Sequence, residues 1–72
     1  MKLQRCKPRE LERVTLRLGF YLSSSSGSHR TYKHPDGRRT TIVFGRQDVK
    51  TGLLHAIVKD LGLTVEQFND LV

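Results

Sequence analysis

Residues 20–44 read FYLSSSSGSHRTYKHPDGRRTTIVF, and the turn residues inside this stretch decide the fold. Gly27-Ser28 and Pro35-Asp36-Gly37 are turn signals, because proline presets φ while aspartate and glycine accept turn geometry. They divide the stretch into three extended pieces. The first begins at Phe20-Tyr21-Leu22 and runs on through Ser23 to Ser26. Four serines are too few to separate two domains, so they complete a strand. The second piece runs from His29 to His34. The third, Arg39 to Phe44, is rich in β-branched and aromatic residues. Connections this short predict an antiparallel three-stranded meander.

Helical patterns flank the meander. Leu11, Val14 and Leu18 recur at helical spacing after Pro8, a residue suited to a first helical turn. They predict an amphipathic helix over roughly 8–18, with Gly19 as its cap and Phe20 as an apolar anchor. Leu53, Leu54, Ile57, Val58 and Leu61 predict a second helix over roughly 51–61, closed by Gly62. Thr64-Val65-Glu66-Gln67 is a capping box that opens a last short helix and turns Phe68, Leu71 and Val72 inward. Residues 1–7 are basic and aperiodic and read as a loose arm. The expected class is therefore α+β in the order α-β-β-β-α. A three-stranded antiparallel sheet would carry the helices on one face and leave the other open to a ligand.

A chain of 72 residues is expected to form one domain, spanning 1–72. So small a domain has little core to spare, so a site belongs on a surface rather than in a deep cavity. The net charge is +6. Residues 1–50 total +8 and the remaining tail −2, a bias that points to a polyanion: nucleic acid, an anionic membrane or an acidic protein. Cys6 is the only cysteine, which leaves no disulfide within the chain and no Cys-rich zinc site, and fits a cytoplasmic location. The first 14 residues lack the apolar stretch of a signal peptide, and no run approaches the length of a membrane span.

The histidines divide by position. Along the second strand His29, Thr31 and Lys33 share one face, and Arg30, Tyr32 and His34 the other. Tyr32 assigns its own face to the core, so His29 and Lys33 are expected together on the open face. A histidine moves protons near neutral pH, and a lysine holds a phosphate as a point charge. That pair suits RNA, which carries its own nucleophile in the 2′-hydroxyl. An ordinary exposed strand histidine satisfies the same pattern. His34 reads as a polar turn residue and His55 as a solvated helix residue. Ser28 and His29 are adjacent and point to opposite faces, so they pair poorly as nucleophile and base. No metal-ligand spacing, Walker-type loop or GxGxxG motif is present, and no cofactor is expected. Arg30, Lys33, Arg38, Arg39, Arg46 and Lys50 gather near the turns and the entry to the second helix. They could track a phosphate backbone or form a solvated rim. The helix start at Lys50-Thr51-Gly52 favours an anion.

Taken together, these residues resemble the HicA family of mRNA-cleaving toxins. The resemblance lies in Arg9-Glu10-Leu11 through Leu18-Gly19-Phe20, in Gly27-Ser28-His29, and in the turn from His34 to Arg39. It continues in Lys50-Thr51-Gly52-Leu53 and in Gly62 to Phe68. It implies a double-stranded-RNA-binding-domain-like fold and a metal-independent endoribonuclease whose catalytic residue is His29. Ser28, Arg30, Lys33, Arg39 and Lys50 are then expected to bind RNA. A HicB-type antitoxin is the implied protein partner, mRNA the implied substrate, and no membrane is involved. Two other classes remain: a non-catalytic RNA-binding module of the same fold, and a small basic adaptor for an acidic protein.

Overall fold

The computed structural model describes residues 2–72. Its elements are α1 (Pro8–Arg17), β1 (Tyr21–Ser26), β2 (His29–Lys33), β3 (Arg39–Val43), α2 (Thr51–Asp60) and α3 (Val65–Leu71). The expected α-β-β-β-α order is observed, and the strands form one antiparallel sheet in the order β1-β2-β3. Each long helix ends one residue earlier than periodicity suggests.

Local chemistry explains the boundaries. Pro8 occupies the first turn of α1, and the Glu10 carboxylate accepts a hydrogen bond from the Lys7 backbone N–H at 2.8 Å. At the other end Gly19 adopts φ +95°, which lets the Phe20 N–H reach the Thr15 carbonyl at 3.3 Å and turns the chain into β1. Gly27 has φ +58° and Ser28 does not have a positive φ. That pattern fits a type II′ hairpin turn between Ser26 and His29, whose twist matches the flanking strands. Thr64 caps α3 by accepting from the Gln67 N–H at 3.1 Å, and the Gln67 side-chain oxygen accepts in turn from the Thr64 N–H at 2.9 Å.

The helices cover one face of the sheet. Tyr32 of β2 and Thr40 and Ile42 of β3 point into the core, where Leu11 and Val14 of α1 meet Leu54, Ile57 and Val58 of α2. Phe68 of α3 closes one end of this core. A fully buried side chain of this size stabilises the fold by roughly 1.5–3 kcal/mol. Both α1 and α2 pack on β3, whereas all six residues of β1 are exposed.

The N-terminal segment corrects the expectation of a loose arm. Leu3 and Cys6 are buried in the core. The Val49 N–H donates to the Cys6 carbonyl at 2.9 Å, and Asn69 bonds both the Gln4 N–H and the Lys2 carbonyl at 2.8 Å. Two apolar side chains in a short stretch ahead of Pro8 do not make a periodic pattern, so the docking was invisible to periodicity. Burial pushes the Cys6 thiol up to about 11, with the Glu10 and Asp48 charges adding to it. Such a thiol stays protonated and inert.

Candidate functional site

The strand register sorts the uncovered face into three rows. Directly opposed residues share a face. Tyr21, Lys33 and Arg39 form the row nearest the β2–β3 turn. Ser24, Thr31 and Thr41 form the middle row, where the two threonine hydroxyls lie 3.2 Å apart. Ser26, His29 and Val43 form the row at the β1–β2 turn. His29 is exposed, as the face assignment required. None of the residues in β1, β2 or β3 is acidic, so this face presents cations and hydroxyls without a competing carboxylate.

His29 and Lys33 share the face but are not neighbours. They are the first and last residues of β2, about 13 Å apart at roughly 3.3 Å per residue. The two side chains therefore project from opposite ends of the strand. The cations that share a cavity with the strand partner of His29 come from the loop between β3 and α2. Val43, the direct partner of His29, lines a shallow cavity of about 440 Å³ together with Arg46, Lys50, Leu53 and Asp48, whose carboxylate pairs with Lys7 at 3.1 Å. A second hollow of about 390 Å³, shared by Arg46 and Lys50, extends toward Arg5 and Lys7. The loop is tied to the histidine turn where the Phe44 N–H donates to the Ser28 carbonyl at 2.7 Å. Lys50 is exposed at the N-cap of α2.

Other predicted residues are engaged elsewhere. Arg30 points to the helix side, pairs with Glu12 at 3.3 Å and stacks over the Phe44 ring at 4.1 Å. Tyr32 donates its hydroxyl to the same Glu12 carboxylate. Burial pushes the Tyr32 phenol up to about 12, reinforced by the bond to Glu12 and its charge and opposed by Arg30. Arg38 donates to the Leu61 carbonyl at 2.6 Å, at the C-terminal end of α2, and to Asp36 at 2.7 Å. A hydrogen bond from the Arg38 backbone N–H is the main reason the Asp36 carboxyl lies below its ordinary value, with the guanidinium helping. His34 Nδ1 lies 3.1 Å from the Asp36 backbone N and 3.0 Å from the Asp36 carboxylate, and Nε2 donates to the Leu18 carbonyl at 3.2 Å. Its ring also meets Phe20 edge-on at 5.0 Å. His34 thus locks the β2–β3 turn to the end of α1.

Ser28 lies in the turn beside His29, and its backbone carbonyl is the group the fold uses. Tyr21 was not expected at the site. A β-bulge between Leu22 and Ser24 shifts its face, and alternation cannot detect such a shift. Among the described residues no three His, Cys, Asp or Glu side chains gather as a metal site would require. Nor is any described helix long and apolar enough to cross a membrane.

The family model described as the HicA toxin of bacterial toxin-antitoxin matches residues 8–63, from the start of α1 to just past α2. No curated protein matches the chain.

Proposed function

Because this chain belongs to the HicA toxin family of bacterial toxin–antitoxin systems, we propose that it is an endoribonuclease that cuts mRNA and so halts translation. The observation that carries this reading is the position of His29. It stands exposed at one end of an acid-free sheet face, directly across from Val43, where the cavity bordered by Arg46 and Lys50 begins.

The chemistry follows from RNA itself. His29 takes the proton of a ribose 2′-hydroxyl, and the freed oxygen attacks the adjacent phosphorus. The 2′-O–P bond forms as the P–O5′ bond breaks, leaving a 2′,3′-cyclic phosphate. The departing 5′-oxygen takes a proton from water, and the imidazolium returns its own to solvent. Arg46 and Lys50 offset the charge that builds on the phosphoryl oxygens. No step calls on a metal or cofactor. Ser28 and Lys50 line the approach to the cut, while Lys33 and Arg39 hold RNA farther along the face. Arg30 acts through the fold, supporting the strand that carries His29. The whole unit works in the cytoplasm as one domain.

An antitoxin partner follows from the family. A HicB-type protein with an acidic surface would cover His29 and the cations beside it, denying RNA the site and using opposite charge to speed encounter. A non-catalytic RNA-binding module could use the same face, but it would have no need of a histidine there.

The test is to incubate the purified chain with a long mRNA in EDTA and analyse the new ends. Cyclic phosphate and 5′-hydroxyl ends are expected. Intact RNA in EDTA, with cutting restored by a divalent metal, would replace this mechanism with a metal-assisted one.

A further inference from the structure

The row at the far end of the open face has a different chemistry from the His29 row. Tyr21 is 51% exposed and directly opposite Lys33, which is directly opposite Arg39. The bulge is what puts Tyr21 there. Counting back by strict alternation from Ser26 and Ser24 would place Leu22 on the open face and Tyr21 on the helix side. The irregularity between Leu22 and Ser24 reverses this, so that Leu22 pairs with core-facing Tyr32 and Tyr21 with Lys33. The two cations are also unspent. The salt bridges among the described residues use Lys7, Arg30, His34 and Arg38, and neither Lys33 nor Arg39 takes part.

We propose that Tyr21, Lys33 and Arg39 form a subsite for one nucleotide of single-stranded RNA. The base stacks on the Tyr21 ring, and Lys33 and Arg39 hold a phosphate next to it. An aromatic ring on a cationic, acid-free sheet face provides both interactions that sequence-tolerant single-strand binding requires. Duplex RNA does not fit this role, since the faces of a paired base are already covered by its neighbours.

The subsite rests on the ribonuclease reading only for its relation to the cut. At about 13 Å from the His29 row, it lies roughly two to four nucleotides away along the strand, fewer the more extended the RNA. It accounts for the separation of Lys33 from His29: the two serve different nucleotides of one substrate.

The experiment measures binding without cleavage. On a His29→Ala background, a fluorescein-labelled ten-nucleotide RNA is titrated as a single strand and again annealed to its complement. Tyr21→Ala should weaken single-strand binding by roughly 5- to 150-fold and leave duplex binding unchanged, while Tyr21→Phe retains the parent affinity. Tyr21→Leu, which keeps an apolar side chain in the strand but has no ring face, should lose affinity as alanine does. Circular dichroism establishes that each variant is folded. Unchanged single-strand affinity in folded Tyr21→Ala and Tyr21→Leu would overturn the subsite, as would an equal loss on duplex. Retained RNA binding with loss of an antitoxin would also overturn it, and make the row a protein-docking surface. A wild-type chain that shows the Tyr21-dependent binding yet cuts no RNA would leave the subsite standing and sink the ribonuclease reading instead.

Discussion

Val43 stands directly across from His29 in the β2–β3 ladder, and the same residue lines the cavity that Arg46 and Lys50 border. This places the histidine beside the β3–α2 loop rather than beside Lys33. It also separates two groups of cations in space, Arg46 and Lys50 on the cavity that Val43 lines and Lys33 and Arg39 at the other end of the face.

That separation can be measured. Removing Lys33, Arg39 or Lys50 singly should flatten the log–log salt dependence of single-stranded RNA binding by about 0.7 for each phosphate no longer neutralised. Lys50→Ala should in addition slow single-turnover cleavage at saturating RNA, whereas Lys33→Ala and Arg39→Ala should not. A common kinetic effect in all three would contradict the two-group arrangement.

Glu12 serves two partners from beneath the sheet, Arg30 and Tyr32. Glu12→Ala leaves the Tyr32 hydroxyl without its acceptor in the core, at a cost of about 1–3 kcal/mol. In a chain of this size that corresponds to a Tm lower by at least roughly 4 °C. Thermal unfolding of Glu12→Ala and Glu12→Gln checks this, with glutamine expected to lose less because its amide oxygen still accepts from the phenol.

The Tyr32 phenol also sets an alkaline limit. Its folded value is raised from 10.0 to about 12, first by burial. Between those values the unfolded chain has released a proton that the folded chain retains. Stability from this group is therefore full below pH 10 and lost as pH rises through about 12. Tyrosinate absorbance should show a step near pH 12 in the wild type that Tyr32→Phe lacks. Its presence in Tyr32→Phe would remove the assignment.

The docked N-terminal segment predicts a core role for Leu3. Leu3→Ala should destabilise by about 2–5 kcal/mol in chemical denaturation, the usual range for emptying a buried leucine site. A loose arm would give a change within about 0.5 kcal/mol.

The meander, its turns and the two long helices were legible in the sequence because each rests on local signals. Gly27-Ser28 and the turn around Asp36-Gly37 fixed the strand pairing, and Tyr32 told which face was buried. Local signals also put His29 on the open face. What lay hidden depends on register and on distant partners. The spacing of His29 and Lys33 in the sequence already sets them a strand apart, but alternation does not show that Val43 stands across from His29. Arg30 looks like a free cation until α1 brings Glu12 beneath it. Tyr21 owes its position to one bulge, and Leu3 and Cys6 owe their burial to Val49 and Asn69, both more than forty residues away in sequence.

If His29 moves the proton in RNA cleavage, its loss must slow the cut, and a single rate comparison decides this. Cleavage of a long mRNA by His29→Ala is measured beside the wild type in EDTA, with circular dichroism on both proteins and RNA affinity measured for each. Positioned acid–base catalysis contributes roughly 10²–10⁴-fold, so the variant should be slower by that factor. It should remain folded and bind RNA as before, because His29 is exposed and phosphate attraction resides in the lysines and arginines. A folded His29→Ala chain that cuts at the wild-type rate would contradict the account.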